Sequence, residues 1–312
     1  MKELVIVDMQ YMYYRHLYRL RKYEECHGGA PMLSYDGAET GRLYFTMKDF
    51  MSIVSLAQDA NADLVVCMDS KSARKEENEE YKSNRGGLVD IDGIALANIK
   101  NCLVNGKFAI MKKEGLEADD LIAAVVRNRG DEYDRVHIFT PDSDLCALVN
   151  DKVCIWRYKS ANSIGGGKHV QFIDAHDRIT KDTFEAMLSA ELKTEAPFNS
   201  IILYKCLVGD TSDKIAGVKG FGKAAFGKFV QTLKRDGVDF TTLNDPEEVA
   251  KLIVKYENVF GESGAAQAIA SLQLVRSWTD DEVESVAKSI DMTRPDLSII
   301  RSEFAKFGIV SL

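Results

Sequence analysis

Three short runs of apolar, largely β-branched residues recur along the first half of the chain: Leu4–Val7, Leu64–Met68 and Val136–Thr140. None alternates with polar residues, so each reads as a strand buried on both faces, the pattern of a parallel sheet. Between them the spacing changes. Apolar residues recur at helical intervals over Leu43–Ala57 and again over Leu121–Arg127. Strands alternating with helices predict an α/β fold, a central, mainly parallel sheet flanked by helices. From about Thr180 the strand signals fade and helical ones dominate. The expected division is an α/β core over residues 1–185 and a helical C-terminal region over 186–312.

Two stretches break this rhythm. Ser70–Arg85 is densely charged with mixed sign, Gly86-Gly87 follows, and a weaker helical pattern runs from Ile91 to Leu103. A charged excursion over about 70–107, between two core strands, describes it. Ser160–Lys168 carries Gly165-Gly166-Gly167 and reads as a flexible surface loop. After about residue 240 motifs are scarce. Asp280-Asp281 follows Ser277-Trp278-Thr279 at a predicted helix start and reads as capping.

Composition narrows the class without choosing a function. The 312 residues are 46% hydrophobic and 28% charged, ordinary for a globular protein able to bury a large core. No uncharged apolar run approaches the roughly 20 residues needed to span a bilayer. Asp8 interrupts the N-terminal apolar run too early for a signal peptide. Cys26, Cys67, Cys102, Cys146, Cys154 and Cys206 form no CxxC pair and read as free thiols in a reducing cytoplasm. His16, His27, His137, His169 and His176 have neither metal nor triad spacing. A net charge of −8 argues against a general polyanion binder.

The placement of the acids changes the picture. In an open parallel sheet, sites form outside the carboxyl ends of the strands. Asp8, Asp69, Asp142 and Asp144 all follow predicted strands and project to that edge. Glu117, Asp119 and Asp120 occupy the first turn of a predicted helix, where the macrodipole tolerates negative charge. An acidic first turn also suits simple capping. Four such segments at one edge, however, would repel strongly without compensation. An all-carboxylate set suits Mg²⁺ or Mn²⁺ and not zinc or copper. Two ions roughly 4 Å apart can clamp the attacking and leaving oxygens of a phosphoryl transfer, so a metal-dependent phosphodiesterase is the expected chemistry.

Further on, Gly209-Asp210-Thr211-Ser212-Asp213 precedes a glycine-rich stretch with Gly217, Gly220 and Gly222 between two helical patterns. Such glycines turn the backbone sharply and expose N–H groups at a helix start, a natural phosphate site. Lys214, Lys219, Lys223, Lys228, Lys234 and Arg235 follow with no acid among them. The run fits a solvated helix face or a grip on a nucleic-acid backbone that reads no sequence.

Taken together, these residues resemble the 5′-nuclease superfamily: flap endonucleases, the 5′–3′ exonuclease domains of bacterial DNA polymerases, and phage 5′-exonuclease/ribonuclease H enzymes, the last being most similar in size. The resemblance covers roughly residues 3–235. It rests on the strands ending in Asp8 and Asp69, on Glu117-Ala118-Asp119-Asp120, on Thr140-Pro141-Asp142-Ser143-Asp144, and on Gly209–Asp213 with the Gly217–Gly222 hairpin. It implies a PIN-like nuclease core, with Asp8, Asp69, Glu117, Asp119, Asp120, Asp142, Asp144, Asp210 and Asp213 as metal-site carboxylates, some acting through water. Residues after Asp69 match a helical arch that passes a single-stranded 5′ end. Within it, Lys82 and Arg85 are expected at the scissile phosphate, and Arg74 and Tyr81 on nucleic acid, Tyr81 by stacking. Pairing of Lys82 and Arg85 with Glu76–Glu80 is the plainer alternative. The segment with Gly217, Lys219, Gly220, Gly222 and Lys223 matches a helix–hairpin–helix that grips duplex backbone and often holds K⁺.

Setting nine acids aside from 48 leaves 39 against 40 basic residues, so the rest of the chain is nearly neutral. The chain departs from the family at Met9-Gln10 after the first aspartate, at Ala73 before the first arch arginine, and at Lys214-Ile215-Ala216 after Asp213. Tyr11, Tyr13, Tyr14 and Arg15 either line a 5′-end path or pack. The expected activity is a Mg²⁺-dependent structure-specific 5′ nuclease of DNA replication or repair, acting in the cytoplasm of a bacterium or of a phage host. Its expected substrates are 5′ flaps, branched or 5′-ended DNA and RNA primers in RNA/DNA hybrids, with Mn²⁺ able to substitute. Expected protein partners are a polymerase or a single-strand-binding protein, and no membrane. The rivals are a PIN-like ribonuclease for single-stranded RNA and a non-catalytic junction-binding protein.

Overall fold

The structure is a computed structural model that describes residues 1–27, 34–36, 38–83, 90–159, 176–277, 280–292 and 296–310. Ten strands occur among them: β1 (Glu3–Asp8), β2 (Ser34–Tyr35), β3 (Ala38–Glu39), β4 (Asp63–Cys67), β5 (Ala109–Met111), β6 (Arg135–Phe139), β7 (Val153–Tyr158), β8 (His176–Ile179), β9 (Gly209–Asp210) and β10 (Ile215–Ala216). Six form the central sheet in the order β5-β4-β1-β6-β7-β8. All are parallel except β8, which runs antiparallel to β7 at the edge. The chain winds outward from β1 through β4 and β5, then resumes on its other side with β6. That reversal opens a crevice beyond the carboxyl ends of β1 and β6, where ligands bind in such sheets. Register sharpens it: Asp8 lies opposite Cys67, and Val7 opposite Phe139.

Alternation along the strands builds two cores. Leu4, Ile6, Val65, Val136, Ile138 and Ile155 pack against Leu121, Ile122 and Val125 of the helix Ala118–Arg129 and against C-terminal helices. Val5, Val7, Leu64 and Val66 point the other way, onto Phe50 and Val54 of the helix Gly41–Asp59 and Ile99 and Leu103 of the helix Asp90–Asn105. The last helix, Leu297–Ala305, returns to this second layer with Ile300 and Phe304 wholly buried.

The three strands expected from the sequence are present, as are the helices at Leu43–Ala57, Ile91–Leu103 and Leu121–Arg127. β5, β7 and β8 escape a sequence reading. β5 has three residues, and β8 is a polar edge strand whose two middle residues face solvent. The helix Lys181–Leu192 spans residue 185, and its Phe184 and Leu188 share the core of the sheet and the C-terminal helices. The core of the sheet therefore continues across residue 185. Ser160–Lys168 lies outside the described residues. Cys67, Cys102, Cys146, Cys154 and Cys206 are free and buried. Among the described residues no helix is long and apolar enough to cross a membrane.

Phe304 seals the last helix onto the second layer. Phe304→Ala should destabilise the fold by about 3–5 kcal/mol, read from the urea midpoint. A change below about 1 kcal/mol would mean that the helix docks without bearing on the core.

Candidate active site

Asp8 ends β1 and is buried. One carboxylate oxygen accepts the Tyr11 N–H at 3.0 Å, and the other accepts the Thr140 hydroxyl at 3.1 Å. The Thr140 hydroxyl also accepts the Asp142 N–H at 3.1 Å, and Asp142 accepts the Asp144 N–H at 2.9 Å. Thr140 thus ties the loop after β6 to the end of β1. Across β4, Asp69 accepts the Ala118 N–H at 2.6 Å, at the start of the Ala118–Arg129 helix. The helix N-terminus supplies an otherwise orphaned donor to a strand-end acid. Asp8, Asp69, Glu117, Asp119, Asp142 and Lys82 line a cleft of about 490 Å³, with Tyr11, Tyr14 and Tyr18 of the first helix on its wall. Tyr13 points into the core.

These acids feel one another. Burial, then Asp69, pushes the Asp8 carboxyl up to about 7, with a smaller push from Asp142 and a partial offset from the Tyr11 and Thr140 bonds. Burial and Asp142 push Asp119 well above the carboxylate range, against the pull of Lys82. An oxygen-only set in which Asp8 and Asp119 resist ionising fits a hard divalent cation. Asp8, Asp69, Asp119 and Asp142 line the same cleft and could supply oxygen donors to one. Among the described residues no three His, Cys, Asp or Glu side chains stand in ligating geometry.

The other acids meet protein cations. Arg74 is buried, with its guanidinium 2.9 and 2.5 Å from the two Asp120 oxygens, 3.1 Å from Glu117 and 2.9 Å from the Arg276 carbonyl. Asp120 is wholly buried and also accepts the Glu117 N–H at 3.0 Å. This corrects two expectations. Bidentate pairing and burial withdraw Arg74 from nucleic acid and Asp120 from the metal cleft. Tyr81 is corrected likewise: its ring is buried and its hydroxyl donates to Glu117 at 3.0 Å, so it offers no stacking face.

Lys82 does reach the cleft. Its ammonium lies 3.0 Å from Glu117 and 3.9 Å from Asp213, and its N–H donates to the Asp213 carbonyl. Its backbone is left-handed, at φ +52°. Burial pulls its pKa down, but Asp119 and Glu117 outweigh this and hold it above the usual value. Burial pushes Glu117 up, and Lys82 and Arg74 reverse the shift to below its usual range. The alternative of surface pairing with Glu76–Glu80 does not hold for Lys82. Arg85 lies outside the described residues.

Sequence reasoning missed Lys205. It sits in the apolar helix Ile201–Val208, almost fully buried. Its ammonium is 2.7 Å from Asp210 and 3.0 Å from the Ser143 hydroxyl, and it pairs with Asp144. Burial raises the Asp210 pKa, yet Lys205 and the Ser212 bonds bring it down to about 2. The signal was present: one cation in a run that is otherwise apolar.

The glycine stretch divides by role. β9 and β10 pair as a short hairpin between Ile201–Val208 and the helix Lys223–Arg235. A Cβ on Gly217 would stand 2.3 Å from the Val208 carbonyl carbon, so Gly217 is a packing glycine and not a ligand-facing one. Gly220, at φ +80°, and Gly222, the helix N-cap, face open space. Lys219 is exposed, whereas Lys223 pairs with Glu191 at 2.6 Å and Lys234 with Glu195 at 2.8 Å. Asp280 caps its helix through the Val283 N–H at 2.9 Å, as expected.

A family model of the 5′–3′ exonuclease N-terminal, resolvase-like domain matches residues 3–182. The chain belongs to the 5′–3′ exonuclease family. A 5′–3′ exonuclease of Aquifex aeolicus is 23% identical over 312 residues, 100% of this chain and 94% of that protein. One of Mycoplasma pneumoniae is 26% identical over 232 residues, 73% and 72% of the two chains. DNA polymerase I of Borreliella burgdorferi is 26% identical over 242 residues, 76% of this chain but 24% of the polymerase. Among solved structures, T5 5′-exonuclease with bound divalent zinc ions superposes with a TM-score of 0.57 at 18% identity, covering 99% of this chain and 100% of that one. Human GEN1 in complex with Holliday junction DNA gives 0.51 at 17%, covering 98% and 67%. These likenesses extend the shared fold past residue 182 into the C-terminal helices.

Two outcomes follow for the acids. Asp120→Asn strands the Arg74 charge and should cost about 3 kcal/mol or more of stability, much of it recovered when Arg74→Met is added. Urea unfolding of the single and double variants decides this. Asp8 binds a proton in the fold that the unfolded chain, at its ordinary 3.8, has lost. Its contribution to stability is therefore present at low pH and lost as pH rises through about 7. The metal-free protein should gain stability over Asp8→Asn as pH falls from 8 to 5, and Mn²⁺ binding near pH 6.5 should release protons. Calorimetric titration in buffers of different protonation heat would show no proton release if Asp8 were already ionised.

Proposed function

We propose that this chain is a Mg²⁺-dependent, structure-specific 5′ nuclease that hydrolyses phosphodiesters in 5′ flaps, 5′-ended or branched DNA and RNA primers on DNA. The observation that carries the reading is the cleft itself. Four strand-end and helix-start acids, Asp8, Asp69, Asp119 and Asp142, face Lys82 across one crevice in a chain of this family. Divalent cations held by those acids would supply Lewis acidity and a lowered pKa for the attacking water. Mn²⁺ would satisfy the same oxygen donors.

The protein's own part is electrostatic and positional. Thr140 and Tyr11 hold Asp8 in place, and the Ala118 N–H holds Asp69. Lys82, kept protonated by Asp119 and Glu117, presents positive charge where the phosphoryl oxygens gain negative charge. Water attacks phosphorus in line, the bond to the 3′ oxygen breaks, and the products carry a 5′-phosphate and a 3′-hydroxyl. Tyr11, Tyr14 and Tyr18 line the approach and suit an unpaired strand. Lys219, with Gly220 and Gly222, forms the exposed end of a helix–hairpin–helix that would hold duplex backbone, with K⁺ as a further ligand. Relatives that are polymerases support a role beside a polymerase in replication or repair.

A 5′-labelled flap on duplex DNA, incubated with Mg²⁺ or with EDTA beside a plain single strand, tests the reading. Mg²⁺-dependent cutting near the junction is expected. Asp142→Asn should abolish it while flap binding persists, and Lys82→Ala should slow single-turnover cleavage about 10²-fold with little change in affinity. Cutting of single-stranded RNA alone would favour a PIN-like ribonuclease. Tight flap binding without cleavage in either metal would favour a junction-binding protein.

A further inference from the structure

The acids expected around two cations are in two electrostatic states. Asp8, Asp69, Asp119 and Asp142 line the open cleft, Asp8 accepting from the Tyr11 N–H and the Thr140 hydroxyl and Asp69 from the Ala118 N–H. Asp144 and Asp210 share an ammonium already. Lys205 reaches both, and the Ser143 hydroxyl at 3.0 Å completes its shell. The helix that carries it is anchored by Leu203, Cys206 and Leu207, all wholly buried, so the ammonium is delivered there by the core and not by a mobile surface arm.

We propose that Lys205 is a resident stand-in for the second divalent cation, and that this ion binds Asp144 and Asp210 only when the ammonium is displaced. The proposal rests on the two-ion reading of the nuclease above and adds an order of events to it. A divalent ion brought to these carboxylates meets a like charge at contact distance, in a partly buried site where such repulsion is less screened than in bulk water. The free protein therefore takes one ion tightly at the Asp8 side. A substrate phosphate that accepts the Lys205 ammonium would release the two carboxylates, so nucleic acid and the second ion should bind with positive coupling, each strengthening the other. Lys205 is a positioning residue in this scheme: it acts through the acids that it holds.

Mn²⁺ binding to the full chain without nucleic acid tests this, by calorimetry and by electron paramagnetic resonance. The wild type should bind one tight Mn²⁺ and show an uncoupled spectrum. Lys205→Met, which keeps the length and removes the charge, should bind two and show the spin coupling of neighbouring ions. Lys205→Arg should return to one, and so should Lys205→Met combined with Asp210→Asn. Two tight ions on the wild type, one ion on Lys205→Met, or a second ion that survives Asp210→Asn would each overturn the proposal. Should Lys205→Met fail to fold, nitrogen-detected NMR of the wild-type lysine ammonium groups replaces it. A solvent-protected ammonium that shifts only after the first Mg²⁺ site is saturated supports displacement, and one unmoved by the second ion refutes it. These readouts do not involve cleavage, so an inactive protein would defeat the nuclease reading and leave this one standing.

Discussion

Gathering acids at one sheet edge is a problem of charge before it is a means of catalysis. Carboxylates from the ends of β1, β4 and β6, from the start of the helix Ala118–Arg129 and from the β9–β10 hairpin lie on this side of the sheet, several of them buried. Each needs a donor or a cation, because an ionised carboxylate in a low-dielectric interior is otherwise driven to take a proton. The structure answers with three internal cations. Arg74 holds Asp120 and Glu117, Lys82 holds Glu117 and Asp213, and Lys205 holds Asp144 and Asp210. What remains on the Asp8 side is the part that protein cations leave undercompensated, and it opens onto the cleft.

That compensation also builds the fold around the site. Arg74 and Tyr81 belong to the charged excursion after β4, yet both end on Glu117 at the start of another helix. Arg74 goes further and reaches the Arg276 carbonyl, joining the excursion to the C-terminal region. The start of that excursion is thereby fixed to the acid site. Lys205 does the same from the C-terminal side, bringing the helix Ile201–Val208 against the loop after β6. Ion pairs of this sort add little net stability, but removing one partner leaves a buried charge that the fold must bear.

The hairpin after Asp210 follows a different constraint, that of space. Gly209 and Gly217 let two backbones pass where any Cβ would collide. Gly220, Gly222 and Lys219, just ahead of the helix Lys223–Arg235, are shown to solvent.

The sequence by itself determined the parallel sheet, the strand-end acids and their shared edge. Those depend on local periodicity and on a rule about strand ends, both of which act over a few residues. Asp8, Asp69, Asp119 and Asp142 were legible for that reason. Short or polar edge strands such as β5 and β8 were not, since their pairing partners and not their own composition make them strands. Nor could a linear pattern sort the charged residues. Arg74 looked like an arm for nucleic acid, Asp120 like a metal ligand, and Lys205 like nothing at all. Which acid faces a cleft and which faces a buried guanidinium depends on contacts between positions 46 or 62 residues apart. Tertiary structure decided that, because the energy of a charge is set by what surrounds it and not by its neighbours along the chain.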